Sequence, residues 1–183
     1  MSTPHEFALF DTAIGRCAVT WGEAGVISVR LPEQSDAAMR AWIGRRHPDA
    51  REMNPPPAIE AAIGDMRRLL DGEKQDLSAI VLDMSEVPDF ERRVYAETQS
   101  IPPGETLTYG DIATRLGDVG LSRAVGQALG RNPFPIIVPC HRVLAAGGKS
   151  GGFSAPGGVE TKRRILEIEG ARDLHPILPW DSR

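Results

Sequence analysis

The chain has 183 residues, of which 41% are hydrophobic and 25% charged, and this length allows one large domain or two small ones. No apolar run approaches the ~20 residues of a membrane-spanning helix, and the N-terminus lacks the basic and apolar regions of a secretion signal. The two cysteines, Cys17 and Cys140, exclude a disulfide scaffold and a cysteine-rich zinc site, and they indicate a reducing, cytoplasmic environment.

Charge is distributed unevenly along the chain. The net charge is −4, but residues 1–87 carry 9 basic and 14 acidic side chains, whereas residues 88–183 carry 12 basic and 11 acidic ones. Residues 119–159 contain no Asp or Glu, and their basic residues are Arg123, Arg131, Arg142 and Lys149. An acidic protein can therefore still present a local positive surface to nucleic acid, although an acid-poor loop region would give the same pattern.

The first half of the sequence predicts a mixture of strands and helices. Three strand patterns, EFALFDT, GRCAVTWG and GVISVRL, are separated by turns at Gly15 and Gly25 and favour an antiparallel meander. Helices are predicted at residues 35–47 and 58–70, and a buried strand at residues 78–84. Pro88 then opens a helix that is predicted to run to about residue 100.

Two short helices are predicted in the second half. Thr108 and Asp111 have the spacing of a capping box at the start of a helix over residues 109–116. A glycine-rich turn follows, and Ser122 is expected to cap a helix over residues 123–130 with small side chains. This pattern favours a helix-turn-helix that could approach DNA, but an αα-corner packed in the core is an equal alternative.

The last predicted helix covers residues 157–169 and ends before Gly170. Glu169 lies four residues after Ile165 and three after Leu166, so it shares the apolar side of this helix. A carboxylate in that position needs a buried partner, unless the last turn frays and leaves Glu169 in water.

The string PIIVPCHRV, residues 135–143, contains a candidate nucleophile and a candidate base. The apolar residues 136–138 predict a buried strand that leads into Cys140, His141 and Arg142. A thiol becomes a strong nucleophile when a base removes its proton, and His141 could do so, directly or through one water, with Glu169 orienting the imidazole. A buried structural cysteine beside a satisfied core histidine remains the alternative.

The wider string NPFPIIVPCHRV resembles the active-site signature of the O6-alkylguanine-DNA alkyltransferases. The similarity runs from about residue 90 to residue 170 and includes the strings TY at 108–109, RAVG at 123–126 and GGFS at 151–154. The resemblance implies an α+β fold, with an N-terminal ribonuclease-H-like α/β domain followed by a mainly helical, winged-helix-like domain that contains the helix-turn-helix. We expect these domains at residues 1–86 and 87–171, followed by a C-terminal tail at 172–183.

The resemblance also implies the reaction. Cys140 would take the alkyl group, usually methyl, from O6 of a guanine flipped out of duplex DNA, with O4 of thymine as a further candidate substrate. His141 would deprotonate Cys140 through a water with Glu169 behind it, Asn132 would brace the surrounding turns, and Tyr109 would donate a proton to the leaving guanine. The modified cysteine is not regenerated, so each molecule would act once.

The same resemblance implies the contacts with DNA and the base. Arg123 would fill the gap left by the flipped nucleotide, and the carbonyls of Cys140 and Val143 would read the exocyclic amine of guanine. The remaining DNA-contacting residues would be Thr108, Ala124, Gly126, Gln127 and Arg131. The remaining substrate-contacting residues would be Pro135, Phe153 and Ser154.

Two departures from the family pattern affect these expectations. The usual Tyr-Ser-Gly-Gly of the pocket loop is here FSAPGG, residues 153–158, with two inserted residues that weaken the assignment of Ser154. Some members bind zinc in the first domain, but Cys17 and His5 are an inadequate ligand set, so we expect no metal and no cofactor.

Double-stranded DNA containing O6-alkylguanine is the expected partner of a chain that acts as a monomer away from membranes. The main alternative is a non-catalytic sensor of alkylated DNA with the same fold, although such relatives lack the acceptor cysteine. A cysteine hydrolase and a transcriptional regulator are further alternatives. The first would leave the Arg123 helix unexplained, and the second would need an additional DNA-binding domain.

Overall fold

The computed structural model describes residues 3–148 and 157–171. Three antiparallel strands open the chain, as the sequence predicts: β1 (Glu6–Thr12), β2 (Gly15–Gly22) and β3 (Gly25–Arg30). A short strand, β4 (Arg51–Glu52), pairs in parallel with the outer edge of β1 and gives the sheet order β3-β2-β1-β4. The sequence pattern did not predict β4, because two residues are too few to show an alternation of apolar and polar side chains.

Helices cover the two faces of this sheet. The first two are α1 (Asp36–Arg46), capped by Ser35, and α2 (Pro57–Leu70), so both predicted helices are confirmed. Successive strand residues point to opposite faces, and Phe7 packs with Met39 and Ile43 of α1, whereas Phe10 belongs to the larger core that includes Ile63 of α2.

The rest of the chain is mainly helical. It contains α3 (Asp89–Gln99), α4 (Tyr109–Arg115), α5 (Ser122–Gly130) and α6 (Gly158–Ile168). Two short strands, β5 (Leu107–Thr108) and β6 (Val143–Leu144), form a separate parallel pair. None of the helices in the described ranges has the length and apolar character needed to cross a membrane.

Three predicted details are wrong. Residues 78–84 form turns with one isolated bridge, Val26 to Leu82, because this segment pairs with β3 at a single position near the start of that strand, and Val81 is exposed. Residues 136–138 are buried as expected, but they form a turn rather than a strand. Ser122 does not cap α5, because a 3-10 turn over Val119–Leu121 runs directly into the helix and makes Leu121 the cap.

The two halves of the chain are joined by hydrogen bonds as well as by a shared core. The Val29 N–H on the outer edge of β3 donates to the Pro133 carbonyl at 2.9 Å. Arg164 of α6 donates to the Ala13 carbonyl in the β1–β2 turn at 2.6 Å. The loop at residues 132–139, which leads to Cys140, therefore lies against the edge of the first sheet.

Candidate active site

The loop that leads to Cys140 is held by the side chain of Asn132. Its amide donates to the Val138 carbonyl at 2.9 Å, and its side-chain oxygen accepts from the Phe134 N–H at 2.9 Å. Ile136, between these anchors, has a φ of 75°, which is rare for a β-branched residue and indicates local backbone strain. These two hydrogen bonds hold the turn in the way that the expected bracing role of Asn132 requires.

Cys140 begins a 3-10 turn, Cys140–Arg142, and is a free, buried thiol with 9% of its surface exposed. Burial raises the pKa of Cys140, and the Asn132 side chain and the charge of Lys162 oppose that shift. The resting thiol is therefore protonated, and it needs a base before it can act as a nucleophile.

His141 and Glu169 form the buried pair that the sequence suggests. The His141 Nε2 lies 2.7 Å from Glu169 Oε1, and both side chains are 1% exposed. Burial lowers the pKa of His141 and outweighs the opposite effect of Glu169. A neutral imidazole that donates Nε2–H to a carboxylate keeps its lone pair on Nδ1, which is the form that a general base needs.

Glu169 has a second partner, Arg142, which the sequence analysis did not assign. Arg142 donates to both carboxylate oxygens, at 2.9 and 2.7 Å, and to the Ile101 carbonyl at 2.6 Å. Burial alone would raise the pKa of Glu169, but His141 and Arg142 together lower it to about 2. The frayed-end alternative for Glu169 is therefore wrong, since its side chain is buried and fully engaged.

Cys140 and His141 are neighbours without a direct bond. Among the hydrogen bonds of the described residues, none joins the Cys140 sulfur to the imidazole. A proton passing between them requires one intervening water or a small movement of the turn.

Lys162, like Arg142, is a buried charged residue that sequence reasoning missed. It is 1% exposed, and its Nζ donates to the Val143 carbonyl at 2.7 Å. Burial lowers the pKa of Lys162 to about 8, and the nearby Cys140 opposes that shift. The sequence does contain a sign that Lys162 is buried. It precedes the buried positions 165, 166 and 169 by three, four and seven residues, which is the spacing of one helix face.

Tyr109 approaches the site from the start of α4. Thr108 and Asp111 form the predicted capping box, which fixes this helix end. Tyr109 is partly buried, and burial together with Cys140 raises its pKa, so the phenol keeps its proton. Gly126 of α5 lies against the Tyr109 ring, where an added Cβ would be 3.9 Å away.

The candidate DNA-contacting residues of α5 fall on its outer side. Arg123 and Gln127 are exposed, and Ala124 and Gly126 are partly exposed. Arg131 differs from them because it forms an ion pair with Glu91 of α3 at 2.6 Å while its side chain stays 60% exposed. The Tyr95 hydroxyl donates to the Ala128 carbonyl at 2.8 Å and also ties α3 to α5.

The remaining assignments divide into three groups. Val143 is buried and Pro135 partly buried near Cys140 in the chain. Phe153 and Ser154 lie outside the described residues, so their assignment stays a prediction. Within residues 3–148 and 157–171, no group of His, Cys, Asp and Glu side chains is placed to hold a metal ion.

Comparisons with known proteins place this site in a family. Residues 89–171 match the family described as "6-O-methylguanine DNA methyltransferase, DNA binding domain". A protein of Methanothermobacter thermautotrophicus named methylated-DNA–protein-cysteine methyltransferase is 39% identical over 83% of this chain and 78% of its own length. A protein of Mycobacterium bovis with the same name is 36% identical over 91% of this chain and 93% of its own.

Solved structures agree with these matches. The crystal structure of Mycobacterium tuberculosis OGT in complex with DNA has a TM-score of 0.73 and 35% identity, with 91% of this chain and 93% of that chain covered. An O6-methylguanine-DNA methyltransferase from Pyrococcus kodakaraensis has a TM-score of 0.68 and 29% identity, covering 90% and 99% of the two chains. With its buried Cys140, its His141–Glu169 pair and this extent of similarity, the chain belongs to the methylated-DNA–protein-cysteine methyltransferase family.

Proposed function

We propose that this chain repairs DNA by moving one alkyl group from O6 of guanine to Cys140, and that each molecule acts once. The observation that carries the proposal is the free Cys140 thiol on a turn beside the buried His141–Glu169 pair. That arrangement joins a nucleophile, a base and a group that orients the base. Relatives that match most of the chain are named for methyl transfer from DNA to cysteine.

The chemical step is an in-line displacement at the alkyl carbon. His141 takes the proton of the Cys140 thiol through a water, and the thiolate forms a carbon–sulfur bond as the carbon–O6 bond breaks. The electron pair of the broken bond stays with guanine, which gains a proton at N3 from Tyr109. Exchange with water then moves the guanine proton from N3 to N1, and the proton that His141 took from the thiol returns through water to the Tyr109 phenolate. The products are a thioether on the protein and an unmodified guanine, and no redox partner is needed.

The base must leave the helix for this reaction, since O6 of a stacked guanine is out of reach of a side chain. Arg123 is exposed near the start of α5, and we assign it to the space that the base vacates. The small residues Ala124 and Gly126 beside it allow close approach to the minor groove. We propose α4, the intervening turn and α5 as a helix-turn-helix, with Thr108, Gln127 and Arg131 contacting the backbone.

The base pocket is assigned to groups around Cys140. In this proposal the carbonyls of Cys140 and Val143 accept from the exocyclic amine of guanine, the Ser154 amide is assigned to O6, and Pro135 and Phe153 are assigned to substrate binding. Guanine is the main substrate in this proposal, with O4-alkylthymine a second one, because both present an alkyl group on an exocyclic oxygen.

The proposal extends to the division of the chain into domains. We assign residues 1–86 to a ribonuclease-H-like domain, residues 87–171 to a winged-helix-like DNA-binding and acceptor domain, and residues 172–183 to a tail. The four-stranded sheet with α1 and α2 on opposite faces is compatible with the first assignment, and the β5–β6 pair beside α4 with the second. The chain would act as a monomer in the reducing cytoplasm, where Cys140 stays a free thiol.

A stoichiometric titration tests the proposal. Duplex DNA carrying O6-methylguanine, mixed in excess with the protein, should lose one methyl group per protein molecule and no more. Cys140→Ala should bind the same DNA but repair none of it. A sensor would bind without loss of methyl groups, and turnover beyond one equivalent would indicate hydrolysis; either result would contradict the proposal.

A further inference from the structure

Arg142 is a buried charged residue that takes no part in the displacement described above. Its side chain is 6% exposed, and it donates to the Ile101 carbonyl at 2.6 Å and to both oxygens of Glu169 at 2.9 and 2.7 Å. A guanidinium does not lose its proton in a protein, so this positive charge is permanent. It is placed directly against the carboxylate that orients the proposed base.

One oxygen of Glu169 is shared between Arg142 and His141. The Glu169 Oε1 lies 2.7 Å from the Arg142 Nη2 and 2.7 Å from the His141 Nε2, and the imidazole and the carboxylate are each 1% exposed. While His141 is neutral, the three side chains carry no net charge, because the carboxylate balances the guanidinium. A proton added to His141 would leave a net positive charge in a buried site, which is unfavourable.

A His141–Glu169 pair without this guanidinium would hold its proton differently. A carboxylate 2.7 Å from an imidazole favours the protonated ring, because opposite charges attract strongly where water is excluded. The resulting ion pair is neutral overall, whereas a carboxylate beside a neutral imidazole would leave one buried charge unmatched. A ring that has already taken a proton from solvent cannot accept one from a thiol.

Other groups of the described residues act on this network from the elements around it. They are Cys140 in the same turn, Lys162 of α6, Asp76 in the segment after α2 and, through Cys140, Tyr109 of α4 and Tyr95 of α3. Burial raises the pKa of the thiol and of both phenols, so these groups stay uncharged. Lys162 lowers the pKa of His141, as Arg142 does, and Asp76 is exposed to water.

We propose that Arg142 is a positioning residue for the proton transfer: by holding both oxygens of Glu169, it keeps His141 neutral at neutral pH, with a lone pair available to the Cys140 thiol. The use of His141 as a base rests on the proposed function, but the protonation of His141 can be measured without DNA. Arg142 acts through Glu169 and does not touch the reacting atoms.

The experiment follows the imidazole NMR signals of protein labelled with ¹³C-histidine as a function of pH. The His141 signal is assigned by its absence from His141→Gln. Arg142→Met removes the charge and keeps most of the length of the side chain, whereas Arg142→Lys keeps the charge. Arg163→Met is the matched control, because it removes one positive charge from a surface ion-paired group of α6.

In Arg142→Met the pH midpoint of His141 should rise by about one pH unit, since a neighbouring like charge is lost and the carboxylate is unmatched. Adding Glu169→Gln to this variant should reverse the rise. Arg142→Lys and Arg163→Met should stay close to the parent, and His47, on which no group of this network acts, should titrate alike in all variants. A purely structural role would change the melting temperature without moving the midpoint.

Two results would overturn the inference. One is an unchanged His141 midpoint in folded Arg142→Met or, if that variant does not fold, in Arg142→Gln, which keeps hydrogen-bond donors without the charge. The other is a raised midpoint that persists in the double variant, since Glu169 would then not be the link. If His141 titrates as described but the parent takes no methyl group from O6-methylguanine DNA, the proposed function fails and the inference about Arg142 stands.

Discussion

A single carboxylate, Glu169, organises three side chains at the residue scale. The sequence indicates that Glu169 needs a buried partner, and His141 is confirmed as that partner. Arg142 could not be assigned from the sequence because its neighbours along the chain give no sign that a charged side chain turns inward. Its two bonds to Glu169 explain how a carboxylate can be buried and still ionised.

Replacing Glu169 by glutamine should affect stability in a pH-dependent way. The pKa of Glu169 is lowered to about 2 in the folded protein, so its contribution is complete above the unfolded value near 4.3 and is lost as the pH falls toward 2. We expect Glu169→Gln to lower the free energy of unfolding by about 3 kcal/mol at pH 7, because it leaves the Arg142 charge buried without its partner.

Urea unfolding of the parent and Glu169→Gln at several pH values measures this difference. The gap between the two proteins should close as the pH falls through the range from about 4.5 to 2. Glu160→Gln is a suitable control because Glu160 pairs with Arg163 at the exposed side of the same helix. A constant gap across this range would show that Glu169 is not ionised in the folded state.

At the scale of elements, helices with local signals were predicted well. Ser35 caps α1, Thr108 and Asp111 form the capping box of α4, and Gly170 follows α6 with a φ of 73°. These signals involve residues three or four positions apart, so the sequence alone contains them. The β5–β6 pair joins residues about 36 positions apart through two residues on each side, and no local pattern specifies such a pairing.

The loop before Cys140 shows why an apolar run can mislead. Residues 136–138 are buried, as their composition suggests, but an apolar run of this length does not distinguish a strand from a buried turn. The Asn132 side chain supplies bonds that a strand would obtain from a neighbouring strand. The left-handed conformation of Ile136 could not be expected for a β-branched residue.

In the proposed function α5 binds DNA, whereas the turn of Cys140 carries out the displacement. A prediction about Arg123 follows from this separation. We expect Arg123→Ala to slow repair of O6-methylguanine in duplex DNA at least tenfold, while reaction with the free base O6-benzylguanine changes little. Arg123 is exposed on α5, and its proposed task is to replace the flipped nucleotide rather than to assist displacement. Rate constants for both substrates test this.

Arg131, which is also proposed to contact DNA, serves as the control for Arg123. Arg131 is held by Glu91, and Arg131→Ala should weaken binding to all duplexes about equally, as loss of a phosphate contact does. An equal loss of rate on free base and duplex for Arg123→Ala would place Arg123 in the chemistry of Cys140 instead.

At the scale of the whole molecule, the first half of the chain supports the site in the second. The edge of β3 binds the Pro133 carbonyl, and α6, which carries Lys162 and is followed directly by Glu169, is tied to the β1–β2 turn through Arg164. The sequence indicates two units and their approximate boundary, but it does not reveal these contacts, because they join residues that are more than 100 positions apart. The family resemblance, carried by the NPFPIIVPCHRV string, was confirmed by relatives that match along most of the chain.

The identity of the residue that receives the alkyl group is the most direct test of this account. The protein is incubated with duplex DNA containing O6-methylguanine, digested with a protease and analysed by mass spectrometry. The account predicts a gain of one methyl group, replacing one hydrogen, on the peptide containing Cys140 and no change on the peptide containing Cys17, whose thiol is buried with its pKa raised to about 12. A methyl group on Cys17, or on neither cysteine while methyl groups disappear from the DNA, would contradict it.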